Sequence, residues 1–162
     1  MRGLGAGTGK GELVQNPLSN PLVLAFLSMV VNAAALFWAI GRGQGAAHSR
    51  WWLVLAALPG LLVLAVFYSL AFRMHSHLGG WPDSYGTHWL PGELLPHVHF
   101  ANWMFTVGVL TALFMPAVLA VFALAPRLRA GMIYPASCGL ACWASLWLTL
   151  LAPSGFQDWW WD

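Results

Sequence analysis

Long apolar stretches alternate with short polar links along this chain. Four such stretches, free of charged residues, cover residues 22–40, 53–72, 97–124 and 132–151. An α-helix rises about 1.5 Å per residue, so about 20 residues cross a hydrocarbon core of about 30 Å. The pattern predicts an all-α integral membrane protein, in which an antiparallel bundle of four transmembrane helices occupies residues 21–152.

The two ends of the chain differ from this membrane domain. Residues 1–20 are polar and rich in glycine, which predicts an N-terminal tail without a signal peptide's apolar segment. Residues 153–162 end in Trp159, Trp160 and Trp161 beside acidic residues. Tryptophan prefers the boundary between lipid and water, so this segment is predicted to be an interfacial anchor.

Composition agrees with a lipid environment. Hydrophobic residues make up 59% of the chain and charged residues only 7%, whereas a soluble domain carries about 25% charged residues. The net charge of +2 is small and dispersed, which excludes the basic patch that nucleic acid binding requires. The partners that we expect are therefore the lipid bilayer and other membrane subunits.

Basic residues in the links suggest an orientation. Arginines stand in the first and third links, at positions 42, 50, 127 and 129, whereas the middle link has only Arg73 beside Asp83 and Glu93. The positive-inside rule places the first and third links in the cytoplasm. For a bacterial inner membrane protein, the middle loop and both termini are then periplasmic.

Weakly polar residues inside the apolar stretches suggest how the helices pack. Cys138, Cys142, Ser145 and Thr149 form one stripe of small side chains, which favours close helix contact in lipid. Asn32 is expected to hydrogen-bond to another helix. His99, Asn102 and Thr106 share one helical face, which is predicted to point into the bundle.

The middle link carries the most distinctive chemistry. Five of the six histidines fall between residues 73 and 99, together with two acidic residues, and they form the candidate metal-ligand set: His75, His77, His88, His97, His99, Asp83 and Glu93. Turn-forming Gly and Pro residues and aromatic rings predict an ordered loop between helices 2 and 3. Neutral imidazole is a common ligand for zinc, copper and iron.

The histidines allow three kinds of site. One histidine from each helix could hold the iron of haem b, with His75 or His77 facing His97 or His99. Several histidines with Asp83 or Glu93 could bind one copper or zinc ion. Alternatively, the imidazoles pass protons, or bond only to carbonyls and lipid headgroups. If each His-x-His pair is helical, it sends at most one ring to a common centre, whereas an extended pair could send both.

A function follows as a hypothesis from this loop. The chain is expected to be a membrane subunit of a bacterial respiratory or photosynthetic electron-transfer complex, with haem or a metal ion held at the outer face. The alternatives are a non-catalytic structural or assembly subunit and a small metal-handling transporter. Aromatic rings near the membrane surface could also flank a quinone. No nucleophile and base stand at a diagnostic spacing, so a subunit is expected rather than a stand-alone enzyme.

Overall fold

The computed structural model describes residues 21–43, 50–82 and 91–161, and in these ranges the fold is all α-helical. Five helices follow one another within these described ranges: α1 (Pro21–Gly41), α2 (Arg50–Leu78), α3 (Leu95–Leu124), α4 (Ile133–Thr149) and α5 (Ser154–Trp161), with a short 3-10 turn at Arg129–Gly131 before α4.

Three of these helices are long and apolar enough to cross a membrane. The segments Val23–Gly41, Trp51–Leu78 and Leu95–Leu124 have mean hydropathies of 2.2, 2.4 and 2.4. The fourth candidate is bent, because Arg129–Thr149 and Ser154–Trp161 meet at 111°. At 17 residues, α4 reaches only about 25 Å. The prediction of an all-α membrane protein is confirmed, with three to four candidate spans.

The end of α2 extends beyond its predicted apolar stretch. The helix continues from residue 72 to Leu78 and includes His75 and His77. Met74 is fully buried in this added part and belongs to the same core cluster as Leu94 and Phe156. Tertiary packing therefore supports the helix where its hydropathy falls.

Helix α4 lies at the centre of the bundle and contacts α1, α2 and α3. On α1, Ser28 and Asn32 contact Trp143 and Gly139 respectively, so these two helices run in opposite directions. On α2, Gly60 lies against Ala141, and the Tyr68 hydroxyl donates to the Leu148 carbonyl at 2.9 Å. From the first of these contacts to the second, residue numbers rise on both helices, so α2 and α4 run in the same direction.

Small residues make these contacts close. A Cβ atom on Gly60 would lie 2.5 Å from the carbonyl carbon and oxygen of Ala141, so the backbones of α2 and α4 are in contact. Cys142, Ser145 and Thr149 are buried and Cys138 is half-buried. The predicted packing stripe on α4 is confirmed, and close approach without bulky side chains is the means by which helices associate in lipid.

The prediction for Asn32 was wrong. Its side-chain amide is fully buried but donates to the Ser28 carbonyl of its own helix at 2.8 Å. On α1, it is Ser28 that bonds to other helices: its hydroxyl donates to the Ala112 carbonyl at 2.7 Å and accepts from the Trp143 indole at 3.2 Å. Asn32 instead lies against Gly139, and its Oδ1 has no partner among the described residues.

The tryptophan-rich C-terminal segment forms a helix that packs on the bundle. Phe156 of α5 is fully buried and makes an edge contact with Phe67 of α2, at 5.2 Å between ring centroids. The side-chain amide of Gln157 donates to the carbonyls of Leu150 and Ala152, both at 2.6 Å. These two carbonyls follow the end of α4, where helical partners are missing, so Gln157 stabilises the bend.

Candidate functional site at the histidine end

The end of the bundle where α2 finishes and α3 begins contains four of the predicted ligands, and we call it the histidine end. His75 and His77 lie in the last turn of α2, and His97 and His99 lie in the first two turns of α3. Because both pairs are helical, the two rings of each pair point about 200° apart. The helical conformation excludes the extended one, in which both rings of a pair could reach the same centre. Each pair can therefore send at most one imidazole to a common centre.

His97 is held between α2 and α3 by a chain of hydrogen bonds. The Ser69 hydroxyl donates to the Val66 carbonyl at 2.8 Å and lies 3.0 Å from Nε2 of His97. A guanidinium can only donate, so the ring nitrogen of His97 that faces Arg73 is the acceptor, and Nε2 carries the ring proton and donates to the Ser69 hydroxyl. Nδ1 is then the acceptor that faces the Arg73 guanidinium, at a long 3.5 Å.

This arrangement is not that of a catalytic serine. A nucleophilic serine needs an imidazole that takes up its proton, and a third group that stabilises the resulting cation. Here the Ser69 proton points to a carbonyl, and the group beside Nδ1 is the cationic Arg73. The chain of bonds therefore joins α2 to α3 and does not place a base on the Ser69 hydroxyl.

Two further histidines differ in their surroundings. The His75 ring lies against Trp81, with centroids 4.4 Å apart and planes at 31°. His77 is exposed at the surface of α2. Glu93 is also exposed, in the turn that leads into α3. His88 and Asp83, which were predicted as further ligands, lie outside the described residues.

The predicted inward stripe on α3 was wrong. His99, Asn102 and Thr106 are all exposed, and the Thr106 hydroxyl bonds back to the Asn102 carbonyl at 2.9 Å. The inward positions of this part of α3 are taken by small residues such as Ala101. Polarity did not identify the buried face, because close helix contact selects for small size.

His99 and Asn102 instead border a groove between α3 and α5. The groove has a volume of about 480 Å³ and is lined by Val98, His99, Asn102, Phe105 and Trp159–Trp161. Its volume falls within the range of small-molecule sites, which are mostly aromatic or apolar with a few polar groups. We call it the α3–α5 groove. Sequence reasoning missed it because the docking of α5 depends on Phe156, whose burial no local pattern indicates.

The metal hypotheses remain predictions. Within residues 21–43, 50–82 and 91–161, no three His, Cys, Asp or Glu side chains are grouped as a metal site would require. His97 would have to leave Ser69 before Nε2 could bind a metal or haem iron. Sequence reasoning also missed Ser69 and Arg73, although their four-residue spacing puts both on one face of α2.

We expect Ser69→Ala and His97→Phe to show coupled effects on stability. Each substitution should remove the same bond, so the double variant should lose about 1 kcal/mol less than the sum of the single losses. The free energy of unfolding in mixed detergent micelles measures this difference. Ser69→Ala combined with His99→Ala is the matched control and should be additive. If the losses in the free energy of unfolding are additive in both pairs, the bond between Ser69 and His97 contributes nothing to stability.

The comparisons with known proteins found no relatives: no protein-family model matches the chain, and neither a curated protein nor a solved structure is detectably similar to it.

Proposed function

We propose that this chain is a membrane subunit of a bacterial electron-transfer complex, and that it acts by binding rather than by catalysing a reaction. The observation that supports this best is the α3–α5 groove, which combines aromatic rings with His99 and Asn102 at one end of the bundle. Such a groove suits a membrane-soluble carrier molecule. In this proposal the bundle is antiparallel and α4, with α5, provides a fourth crossing.

Two observations argue against other classes of function. The sequences of α1, α3 and α4 contain no Asp, Glu, Lys or Arg, and intramembrane ionisable residues are the usual carriers of ions and protons. A coupled transporter therefore lacks its usual groups in these helices. The bond between Ser69 and His97 lacks the arrangement of a nucleophile and base, which argues against a hydrolase.

The proposal includes an orientation in the inner membrane, with the histidine end and both termini in the periplasm. Gly92→Cys lies at the histidine end and Ala130→Cys at the opposite end, and both positions are exposed. A membrane-impermeant maleimide added to intact spheroplasts should label the first variant and not the second. The reverse labelling pattern would show the opposite orientation.

Purification of the tagged chain in its native membrane context tests the proposed function. We expect partner subunits with a visible redox cofactor spectrum to elute with the chain from mild detergent, and to be lost after a stringent detergent wash. A matched purification of an unrelated tagged membrane protein is the control. Partners without any cofactor spectrum would contradict the electron-transfer role and favour the structural or assembly subunit. A chain that elutes alone would contradict both.

A bound metal or haem remains a second candidate function. It is favoured by the exposure of His75, His77 and His99, whose rings stand at one end of the bundle. Copper or zinc would draw on these rings with Glu93, and with His88 and Asp83 from the adjoining segment. Haem b would need one ring from each helix, and His99 is then the α3 ligand that does not disrupt the bond between His97 and Ser69.

Metal analysis of the purified chain tests this candidate. If a metal ion is held, one copper or zinc per chain is expected, and the double variant His75→Ala, His77→Ala should reduce that content at least tenfold. A Soret band that is lost on His99→Ala would indicate haem instead. The control is His48→Ala, which removes the one histidine outside the predicted set. Equal metal content in all variants would exclude a role for these histidines.

A further inference from the structure

The side chains that line the α3–α5 groove restrict the chemical class of its ligand. Its α3 wall presents the imidazole of His99 and the amide of Asn102, and its α5 wall presents the indoles of Trp159–Trp161. His99 and Asn102 are three residues apart on one helical face, which separates their side chains by about 5–6 Å at Cβ. The groove therefore combines two hydrogen-bond donors on one side with aromatic surface on the other.

The charge of the lining residues restricts the charge of the ligand. None of the described residues that border the groove is Asp, Glu, Lys or Arg. A phosphate headgroup would need an opposite charge to offset its desolvation. The basic residues Arg127 and Arg129 lie beyond the other end of α3, and Arg73 faces His97. The groove thus favours a neutral ligand.

The walls are held in place before any ligand arrives. Trp160 makes edge contacts with Phe67 and Phe105, with centroids 5.2 and 5.8 Å apart, and Trp161 makes one with Phe105 at 5.7 Å. The burial of Phe156 anchors α5 beneath these rings. A site whose side chains are already ordered loses less conformational entropy on binding.

We infer that the α3–α5 groove binds the headgroup of a quinone, a neutral flat ring with two carbonyl acceptors and an apolar tail. The carbonyl oxygens accept hydrogen bonds from His99 and Asn102, and the ring packs against the indoles of α5. The groove lies in the first turns of a 30-residue helix, at the level of the tryptophan-rich helix, so the tail extends from the membrane interface into lipid. This inference rests on the proposed function for its biological setting, but its chemistry concerns this chain alone.

The test uses the isolated full-length chain in nanodiscs of phosphatidylcholine, loaded with decylubiquinone. After gel filtration, the quinone extracted per disc is measured by absorbance and compared with empty discs. We expect one additional quinone per chain, with half-saturation shifted about tenfold upward by His99→Ala and further by His99→Ala with Asn102→Ala. His48→Ala removes the one histidine outside the predicted ligand set and should leave binding unchanged. Both groove residues are exposed, so the variants should fold, which their elution positions check.

Several outcomes would overturn the inference. Quinone content equal to that of empty discs would show that no site exists, and unchanged binding in the double variant would place the site elsewhere. Displacement of the quinone by soluble short-chain phosphatidylglycerol would identify a lipid headgroup site. The nanodiscs contain no partner subunit, so a lack of quinone binding would not contradict the proposed electron-transfer role. Failure of the purification test would likewise not contradict quinone binding by the isolated chain.

Discussion

Replacing Gly60 with alanine is expected to force α2 away from α4 and to destabilise the bundle by about 3 kcal/mol, near the upper end for overpacking. The added Cβ would lie 2.5 Å from two backbone atoms of Ala141 and 2.8 Å from the Cys142 nitrogen. Backbone atoms of a helix cannot rotate away as a side chain can. Relief therefore requires the two helices to move apart along their contact.

The measurement is an unfolding titration with a denaturing detergent, followed by circular dichroism. Gly41→Ala is the matched control, because a Cβ at the end of α1 meets nothing within 4 Å. Its stability should differ from that of the wild type by less than about 1 kcal/mol. Equal stability of the Gly60 and Gly41 variants would contradict the direct contact between α2 and α4.

Replacing Phe156 with alanine is expected to remove about 3 kcal/mol of stability and to release α5 from the bundle. The ring is fully buried among Phe67, Leu70, Met74 and Leu94. Its loss leaves a cavity that the surrounding helices cannot fill, and it removes the anchor of an eight-residue helix that is too short to persist alone. The α3–α5 groove should then be lost.

Hydrogen exchange followed by mass spectrometry tests this directly. Amides of residues 154–161 should exchange much faster in the Phe156 variant, while those in the middle of α3 stay protected. Phe37→Ala is the control, since this ring on α1 is 75% exposed and its truncation should change neither stability nor exchange. Unchanged protection of α5 would show that contacts other than Phe156 hold it.

The transmembrane helices could be predicted from the sequence because lipid imposes a simple requirement on them. A segment without water must satisfy its own backbone hydrogen bonds and cover about 30 Å, so apolar length alone identifies α1, α2 and α3. The stripe of small residues on α4 was also predictable, because close approach in lipid needs small side chains. Both inferences depend only on the local sequence and on the lipid that surrounds the helices.

The inward and outward faces could not be predicted in the same way. In water, polarity separates the surface from the core, but in a membrane both can be apolar. Asn102 was therefore assigned to the interior, although it lies on the surface of α3. Asn32 was assigned an interhelical bond that Ser28 makes instead. Similarly, the three terminal tryptophans are equally compatible with an interfacial anchor and with a helix that packs on the bundle. The burial of Phe156 is the observation that distinguishes these two structures.

The central position of α4 has a consequence for how the protein is assembled during synthesis. Each of the three longer helices contacts α4, yet α4 leaves the ribosome after all of them. Gly60 and Ala141 are in contact although about 80 residues separate them, and contacts of such long sequence separation form late. Until α4 enters the membrane, α1, α2 and α3 lack the helix with which each of them makes its most extensive contact. The shortest of the four helices therefore completes the bundle, and chains terminated before residue 132 should be substrates for membrane quality control.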